Sequence, residues 1–325
     1  MRSIILSMTS QKGRITLPIF LEFIELRTKV ASVFPMLLGI LWSLYRYHVF
    51  TPLNTFLFVL AVLSFDMCTT AINNTMDYVK AKDQVYRKEK NVIGRHQLDF
   101  RQMVEIIFFL LFFSIAISLM LVWRTDLMLL PLGAVCFVIG ICYTFGPIPL
   151  SRMPLGEIFS GVTMGLGIFF LAVFVQAPPQ LLVSRFVGQW FQLQVAWGKF
   201  LEIGLMSLPL VCLIANIMLA NNLCDLEEDI RNDRHTLVFH IGRQKGLLLY
   251  TCLSMLSWIL WLLYPLLGFL PYWAWIGCGV AFLSYKSLGR FLEKQIKGET
   301  FVEAVKSFVL FALMYLVVLI LAIVF

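Results

Sequence analysis

One stretch of this 325-residue chain places an amide and two carboxylates at intervals suited to holding a cation. Asn73 and Asp77 are four residues apart, and Asp83 follows six residues after Asp77. Residues at positions i and i+4 lie on one face of a helix, so the side chains of Asn73 and Asp77 point the same way. We call this set of polar side chains the first Asn/Asp row, and Asp66 and Thr70 extend it into the preceding apolar residues. A carboxylate at that depth predicts either a wet interior cavity or a pairing with a neighbouring helix.

A second stretch repeats these residue types later in the chain. Asn221 and Asn222 precede Asp225, and Asp229 follows four residues after Asp225. Carboxylates spaced in this way repel one another on a bare helix, and a divalent cation held between the two rows would remove the repulsion. Oxygen donors without sulfur or imidazole suit Mg²⁺. The predicted Mg²⁺ ligands are Asn73, Asp77, Asp225 and Asp229.

Basic residues follow both rows closely. Mg²⁺ normally completes its coordination shell with water and phosphate oxygens, and Lys and Arg form charge-assisted hydrogen bonds with phosphate. The combination predicts a site for a diphosphate. The alternative, ordinary charged loops, explains the Lys and Arg residues but not two Asn/Asp rows at helical spacing. The predicted diphosphate-binding residues are Asn73, Lys80, Lys82, Arg87, Arg95, Asn221, Asn222, Arg231 and Arg234.

The elements that position these residues must be membrane-spanning helices. The chain is 60% hydrophobic and only 14% charged, whereas soluble domains carry about 25% charged residues. Apolar runs of about 20 residues are long enough to cross a bilayer as helices. This composition excludes a soluble enzyme, a disordered chain and a disulfide-rich secreted scaffold. The nine predicted spans are residues 30–47, 54–77, 102–122, 127–145, 156–177, 202–224, 246–263, 266–284 and 302–325.

The distribution of Lys and Arg predicts the orientation of these helices. With the N-terminus in the cytoplasm, 21 basic residues lie in the inside segments and 4 in the outside loops. This follows the positive-inside rule, so the C-terminus is predicted to lie outside and both Asn/Asp rows at the cytoplasmic face. The net charge of +7 is therefore assigned to membrane topology, with no nucleic-acid partner. The outside loop 178–201 is predicted to be a short amphipathic stretch at the membrane interface.

Both rows resemble the paired motifs of the UbiA-type intramembrane prenyltransferase superfamily. Two further segments carry the likeness: Tyr143-Thr144-x-Gly146-Pro147-x-Pro149-Leu150, followed by Leu155-Gly156-Glu157, and Arg27-Thr28-Lys29 at the start of the first span. Within the superfamily the sequence is most similar to the MenA-type branch, which prenylates 1,4-dihydroxy-2-naphthoate. The spacing from Asp77 to Asp83 and the Arg234-His235-Thr236 sequence support that branch. The chain departs from the family pattern at Asn74, Cys224 and Asp233.

The resemblance implies a fold and a reaction. The expected fold is an all-α bundle of nine transmembrane helices, one domain over residues 1–325, around a central cavity open to the cytoplasmic side and laterally to lipid. The expected reaction is Mg²⁺-dependent transfer of a polyprenyl group from polyprenyl diphosphate to 1,4-dihydroxy-2-naphthoate in a bacterial cell membrane. Diphosphate and CO₂ are lost, and the product belongs to menaquinone biosynthesis.

The resemblance also implies roles for particular residues. The expected catalytic residues are Asp77, Asp83, Asp225, Asp229 and Tyr143. Tyr143 is the candidate for stabilising an allylic cation, because an aromatic face attracts positive charge. The carboxylate of the acceptor needs a basic partner, and the candidates for this role are Arg27, Lys29 and Arg152.

Two other functions remain open at this point. A UbiA-type enzyme could use a different acceptor, such as 4-hydroxybenzoate, homogentisate or haem. A secondary transporter could use Asp66 and the Asn/Asp rows to couple ion flow. The placement of both rows at one membrane face favours an enzyme supplied with substrate from the cytoplasm.

Overall fold

Helices dominate the computed structural model of the protein, which describes residues 13, 15–146 and 150–325, apart from the side chain of Arg27. In the order of the chain the helices are α1 (Leu17–Phe23), α2 (Val30–Tyr47), α3 (Pro52–Lys80), α4 (Val92–Arg95), α5 (Phe100–Arg124), α6 (Leu129–Cys142), α7 (Gly156–Gln176), α8 (Pro178–Leu181), α9 (Trp197–Cys224), α10 (Leu226–Arg231), α11 (Leu237–Leu266), α12 (Ala281–Glu293) and α13 (Phe301–Val324). Tighter 3₁₀ turns cover Leu26–Lys29, Leu150–Arg152 and Tyr272–Val280, and wider π turns cover Tyr86–Lys90 and Gly161–Gly167.

Seven of the described helices are long and apolar enough to cross a membrane, namely α2, α3, α5, α7, α9, α11 and α13. The predicted all-α polytopic bundle is therefore confirmed. The predicted span 127–145 corresponds to the 14-residue α6. The predicted span 266–284 corresponds to a 3₁₀ turn that continues into α12. The count of nine spans stays a prediction.

The long helix α11 begins nine residues before the predicted span 246–263, and a glycine explains the difference. Gly242 has φ 79° and ψ 160°, a conformation outside the helical range that glycine adopts without strain. The first turns of α11 are thus set at an angle to its apolar part. Because of this kink, the residues from Leu237 to Gly242 continue from the turn that contains Arg234, while the rest of the helix packs in the bundle.

Helix α9 lies at the centre of the packing and contacts α7, α11 and α13, while α2 packs against α7 and α13. Two glycines let α7 approach α9 closely. A β-carbon on Gly161 would lie 2.6 Å from the carbonyl oxygen of Val211, and one on Gly165 would lie 2.6 Å from the Val211 nitrogen. Close packing by small residues is a common way for membrane helices to associate without a hydrophobic driving force.

The loop between α7 and α9 folds as an antiparallel hairpin of β1 (Leu182–Val187) and β2 (Trp190–Val195). Its β1 strand is fixed to the α5–α6 turn, where the Ser184 hydroxyl donates to the Asp126 carboxylate at 2.7 Å. Phe186 and Trp190 are exposed. The hairpin joins the ends of α7 and α9 that lie away from the Asn/Asp rows, so it lies at the opposite end of the bundle from them.

Candidate active site

The Asn/Asp rows meet where α3 and α9 end, and we call this end of the bundle the site end. An open cavity of about 380 Å³, its mouth included, lies between the two rows. Four carboxylates and two guanidinium groups line it, together with three other residues. The lining residues are Asp77, Asp225, Asp229, Arg152, Arg234, Ala81, Tyr86, Glu228 and Asn232. The tertiary structure thus brings both predicted rows to one cavity.

Asp77 lies in the last turn of α3 and is nearly buried. One oxygen of its carboxylate is 3.2 Å from Nη2 of Arg152, which comes from the short turn before α7. The sequence assigned Arg152 to the acceptor carboxylate, whereas the structure places it beside a predicted metal ligand. Arg152 therefore lies where a diphosphate bound at Asp77 could accept its hydrogen bonds.

Asp229 is the most buried carboxylate of the cavity. Its Oδ1 lies 3.4 Å from Nε of Arg234, and its Oδ2 is buried without a hydrogen-bond partner among the described residues. Burial raises the pKa of Asp229 to about 6, although Arg234 opposes the increase. A buried acceptor oxygen without a partner indicates room for a cation or a donor that the protein alone does not supply.

Asp225 has a basic partner that the sequence did not identify. Lys297, in the loop between α12 and α13, donates to both the Asn221 amide oxygen and the Asp225 carboxylate. The sequence indicated this residue only as part of the charged segment 285–300 on the predicted side of the two rows. Each of the three aspartates lining the cavity therefore contacts one basic side chain: Arg152, Arg234 or Lys297. The fourth carboxylate of the lining, Glu228, contacts Lys90.

Asp83 has a different position from the other predicted catalytic carboxylates. It lies three residues beyond the end of α3 and is not among the residues that line the cavity. Its carboxylate accepts hydrogen bonds from the backbone N–H groups of Val85 at 2.8 Å and Tyr86 at 3.4 Å. Asp83 thus caps the turn that carries Tyr86, and its predicted part in the chemistry stays a prediction.

The remaining predicted diphosphate-binding side chains spread over the surrounding surface. Lys82 pairs with Asp233 at 3.0 Å, and Arg95 pairs with Glu22 of α1. The guanidinium of Arg87 lies 4.6 Å from the centre of the Tyr78 ring. Lys80 is the last residue of α3, and Arg231 is exposed at the end of α10.

The family departure at Asp233 has a backbone consequence. Its φ of 58° lies in the left-handed region, which glycine adopts freely and aspartate tolerates better than most residues. This turn reverses the chain after α10 and directs Arg234 back toward Asp229, whose carbonyl accepts the Arg234 N–H at 2.9 Å.

Lys29 is held by α3 rather than exposed to the cavity. Its ammonium contacts the Asp66 carboxylate at 2.8 Å, the Asp66 carbonyl at 3.1 Å and the Thr70 hydroxyl at 2.6 Å. These three contacts use all three of its N–H donors. Asp66 therefore pairs with a neighbouring segment, as one of the two sequence interpretations expected. Of the other acceptor candidates, Arg27 has a side chain outside the described residues.

Other predicted residues connect the helices around the cavity. The Thr144 hydroxyl donates to the Asn73 amide oxygen at 3.1 Å, and the Tyr143 hydroxyl donates to the Gly156 carbonyl at 3.4 Å. Asn74, where the family has Asp, donates from its amide to the Phe23 carbonyl at 2.9 Å and thereby fixes the end of α1. Residues 147–149 of the Tyr143 motif lie outside the described residues.

Asn222 contacts α7 and is not among the residues that line the cavity. Its amide nitrogen donates to Oε1 of Glu157 at 2.8 Å, and both residues are almost completely buried. Glu157 is the second residue of α7. Nothing but its place in the Leu155-Gly156-Glu157 motif marked it in the sequence.

The donor set of the cavity fits Mg²⁺ as part of a shared site. Asp77, Asp225 and Asp229 supply only oxygen, and Asp229 Oδ2 has no hydrogen-bond partner within the part of the chain that the structure describes. No three His, Cys, Asp or Glu side chains of residues 13, 15–146 and 150–325 converge as a complete metal site. This matches the preference of Mg²⁺ for a few carboxylates completed by water and substrate phosphate.

Comparison with known proteins defines the class. Residues 32–301 match the model of the UbiA prenyltransferase family. The chain therefore belongs to this family, and it is a prenyltransferase and an integral membrane protein.

A curated relative suggests a particular enzyme within that class. The 1,4-dihydroxy-2-naphthoate octaprenyltransferase of Bacillus subtilis (strain 168) is 26% identical to this chain over 237 residues, which cover 71% of this chain and 68% of the relative. The similarity to the MenA-type branch noted in the sequence is thereby confirmed.

Solved structures confirm the fold. A UbiA homologue from Archaeoglobus fulgidus, solved with GPP and Mg²⁺, has a TM-score of 0.64 at 12% identity over 94% of this chain and 100% of its own. A UbiA homologue from Aeropyrum pernix K1 has a TM-score of 0.67 at 15% identity over 88% of this chain and 97% of its own. A structure of digeranylgeranylglyceryl phosphate synthase has a TM-score of 0.63 at 16% identity, over 95% of this chain and 98% of its own.

Proposed function

We propose that this protein transfers a polyprenyl group from polyprenyl diphosphate to 1,4-dihydroxy-2-naphthoate, with loss of diphosphate and CO₂, in the menaquinone pathway of a bacterial cell membrane. The observation that supports the chemistry is the cavity in which three aspartates each contact a basic side chain. The identity of the acceptor rests on the similarity to the Bacillus enzyme. The proposed orientation, with the site end at the cytoplasmic face, is supported by the distribution of Lys and Arg and the positive-inside rule.

In this proposal Asp77, Asp225 and Asp229 hold Mg²⁺, with Asn73 one turn before Asp77 as a further ligand. Mg²⁺ held by these residues would supply positive charge to offset the negative charge that develops as the carbon–oxygen bond breaks. The side chains of Arg152, Arg234 and Lys297 lie close enough to exchange a carboxylate partner for a diphosphate oxygen. Such charge-assisted hydrogen bonds both position the leaving group and stabilise its charge.

The apolar bundle below the cavity keeps water from the allylic carbon. Tyr143, which is tied to α7 through the Gly156 carbonyl, is our candidate for stabilising positive charge on that carbon. The isoprenoid tail lies among the apolar side chains of the bundle and leaves laterally into lipid.

The experiment that tests this function uses the purified full-length protein with Mg²⁺, polyprenyl diphosphate and a panel of aromatic acids. The panel contains 1,4-dihydroxy-2-naphthoate, 4-hydroxybenzoate and homogentisate, and products are identified by mass. We expect a decarboxylated prenyl naphthoquinol, and none after chelation of Mg²⁺. A prenylated product from another acceptor, with none from the naphthoate, would overturn the assignment of the acceptor.

A further inference from the structure

Glu157 and Asn222 form a buried polar pair whose hydrogen bonds are incomplete. Glu157 is 3% exposed and Asn222 is 1% exposed. One contact joins them, from the Asn222 nitrogen to Glu157 Oε1 at 2.8 Å. The other oxygen of each side chain, Oε2 of Glu157 and Oδ1 of Asn222, has no hydrogen-bond partner among the described residues.

Two buried acceptor oxygens without donors are costly, at about 1–3 kcal/mol each. Natural structures contain few such atoms, and each one indicates a water, an ion or a ligand that supplies the missing donor. A cation is a poor fit here, because Glu157 is the sole carboxylate of the pair and no further acidic, His or Cys side chain of the described residues completes a metal site with it. The missing groups are therefore hydrogen-bond donors.

The pair lies beside the reaction site. Asn222 precedes Asp225 by three residues, so it lies about one helical turn, or about 4.5 Å, deeper along α9. Glu157 follows Gly156, whose carbonyl accepts the Tyr143 hydroxyl, and a β-carbon on Gly156 would lie 3.7 Å from that hydroxyl oxygen. Glu157 thus directly follows the residue that Tyr143 contacts, and Asn222 lies below the predicted metal ligand Asp225.

The geometry points to Glu157 and Asn222 as the residues that bind the ring hydroxyls of the aromatic acceptor, with Glu157 taking a hydroxyl proton during the reaction. This inference rests on the proposed function. It assigns Asn222 to the acceptor, whereas the sequence grouped it with the diphosphate-binding residues. A hydroxylated aromatic ring supplies the two donors that the pair lacks, and an acceptor without hydroxyls does not.

The step balances without a further reactant. A ring hydroxyl gives its proton to Glu157 Oε2, and the resulting oxyanion makes the ring carbon electron-rich. That carbon, which bears the carboxylate, forms a bond to the allylic carbon while the carbon–oxygen bond to diphosphate breaks. The electron pair of the broken carbon–oxygen bond leaves with diphosphate. When the carboxylate departs as CO₂, its electrons restore the aromatic ring, and the proton returns from Glu157 to the ring oxygen.

A matched control residue exists at the start of another span. Glu303 is the third residue of α13, is 5% exposed and also has a buried Oε2 without a hydrogen-bond partner. Its Oε1 is held by Lys306 at 2.8 Å, and Arg290 lies 3.7 Å away. Neither glutamate is among the residues that line the cavity. Glu157 directly follows Gly156, whose carbonyl accepts the Tyr143 hydroxyl, whereas Glu303 contacts basic side chains of α12 and α13. Glu303 therefore shares the burial of Glu157 without its place beside Tyr143.

The test compares Glu157→Gln, Glu157→Asp and Glu303→Gln in the purified full-length protein. Steady-state kinetics give kcat and separate KM values for the naphthoate and for polyprenyl diphosphate. For Glu157→Gln we expect kcat to fall by about 100-fold or more, because the amide cannot take a proton. We expect the KM for the naphthoate to rise by about tenfold or more, with an unchanged KM for polyprenyl diphosphate. Glu157→Asp keeps the carboxylate and should recover part of kcat, and Glu303→Gln should leave all three values unchanged.

A binding measurement separates this role from a structural one and does not depend on turnover. The wild-type protein should bind 1,4-dihydroxy-2-naphthoate more tightly than 2-naphthoate, which lacks both hydroxyls, and Glu157→Gln should remove most of this preference. The inference would be overturned if Glu157→Gln raised the KM values for the naphthoate and for polyprenyl diphosphate equally. An unchanged preference for 1,4-dihydroxy-2-naphthoate over 2-naphthoate in Glu157→Gln would also overturn it. A wild-type protein that forms no naphthoquinol at all would instead contradict the proposed function.

Discussion

The two Asn/Asp rows contain the same residue types, yet their carboxylates reach the cavity in different ways. In the first row, α3 ends at Lys80 and the extended residue Ala81 separates Asp77 from Asp83, so only Asp77 lines the cavity. In the second row, Asp225 is the one residue between α9 and α10, and the Asp229 N–H donates to its carbonyl at 2.8 Å, which continues the helical hydrogen bonding across the junction. Both Asp225 and Asp229 therefore face the cavity. Carboxylates separated by four residues act together only while the helix continues between them.

The largest effect should come from the carboxylates that line the cavity in each row. We expect Asp77→Ala and Asp225→Ala each to lower kcat/KM for prenyl transfer by about 1,000-fold, because each removes a predicted Mg²⁺ ligand and leaves a basic partner unpaired. Product formation with saturating Mg²⁺ measures this, and membrane extraction checks insertion. The control is Glu105→Gln, because Glu105 is an exposed carboxylate on α5 away from the cavity lining. Full activity in either alanine variant would remove that row from the catalytic site.

A pH dependence should distinguish Asp229 from the rest of its row. Burial raises the pKa of Asp229 to about 6, so the carboxylate is protonated below that pH and cannot hold a cation. Mg²⁺ affinity should therefore fall by about tenfold per pH unit below pH 6 and level off above it. Calorimetric titration of the purified protein with Mg²⁺ between pH 5 and pH 8 measures the profile.

The Asp229→Asn variant is the control for this titration. It should bind Mg²⁺ more weakly and lose the change of slope near pH 6. A wild-type profile that stays flat from pH 5 to pH 8 would show that Asp229 does not contribute to Mg²⁺ binding.

The smallest effect should come from Asp83, the carboxylate of the first row that lies outside the cavity lining. Asp83→Ala removes the cap of the turn that carries Tyr86 and should cost about 1 kcal/mol of stability, with a loss of activity of about tenfold. Asp83→Asn keeps an oxygen acceptor and should retain most of the activity. Thermal unfolding and prenyl transfer of the two variants measure the difference. If Asp83→Asn is as inactive as Asp77→Ala, the carboxylate of Asp83 takes part in the chemistry directly.

Spacing and composition were sufficient to predict the bundle and the two rows. Apolar runs cannot expose their backbone polar groups to lipid, so they form helices whatever their tertiary partners are. The four-residue spacing of Asp225 and Asp229 needs only a continuing helical backbone. The partners of these carboxylates could not be predicted in the same way. Arg152 and Lys297 are far from the rows in sequence, and their contacts depend on how α7, α12 and α13 pack.

The sequence by itself determined the class of environment, the presence of long apolar helices and the residue types available to the site, because each of these follows from local composition and helical period. Only the tertiary structure decided which charges meet. It pairs Lys29 with Asp66, Arg152 with Asp77 and Lys297 with Asp225. It also buries Glu157 against Asn222 beside Tyr143. These contacts join distant segments, and their energies depend on distance and burial, which a linear pattern of residues does not contain.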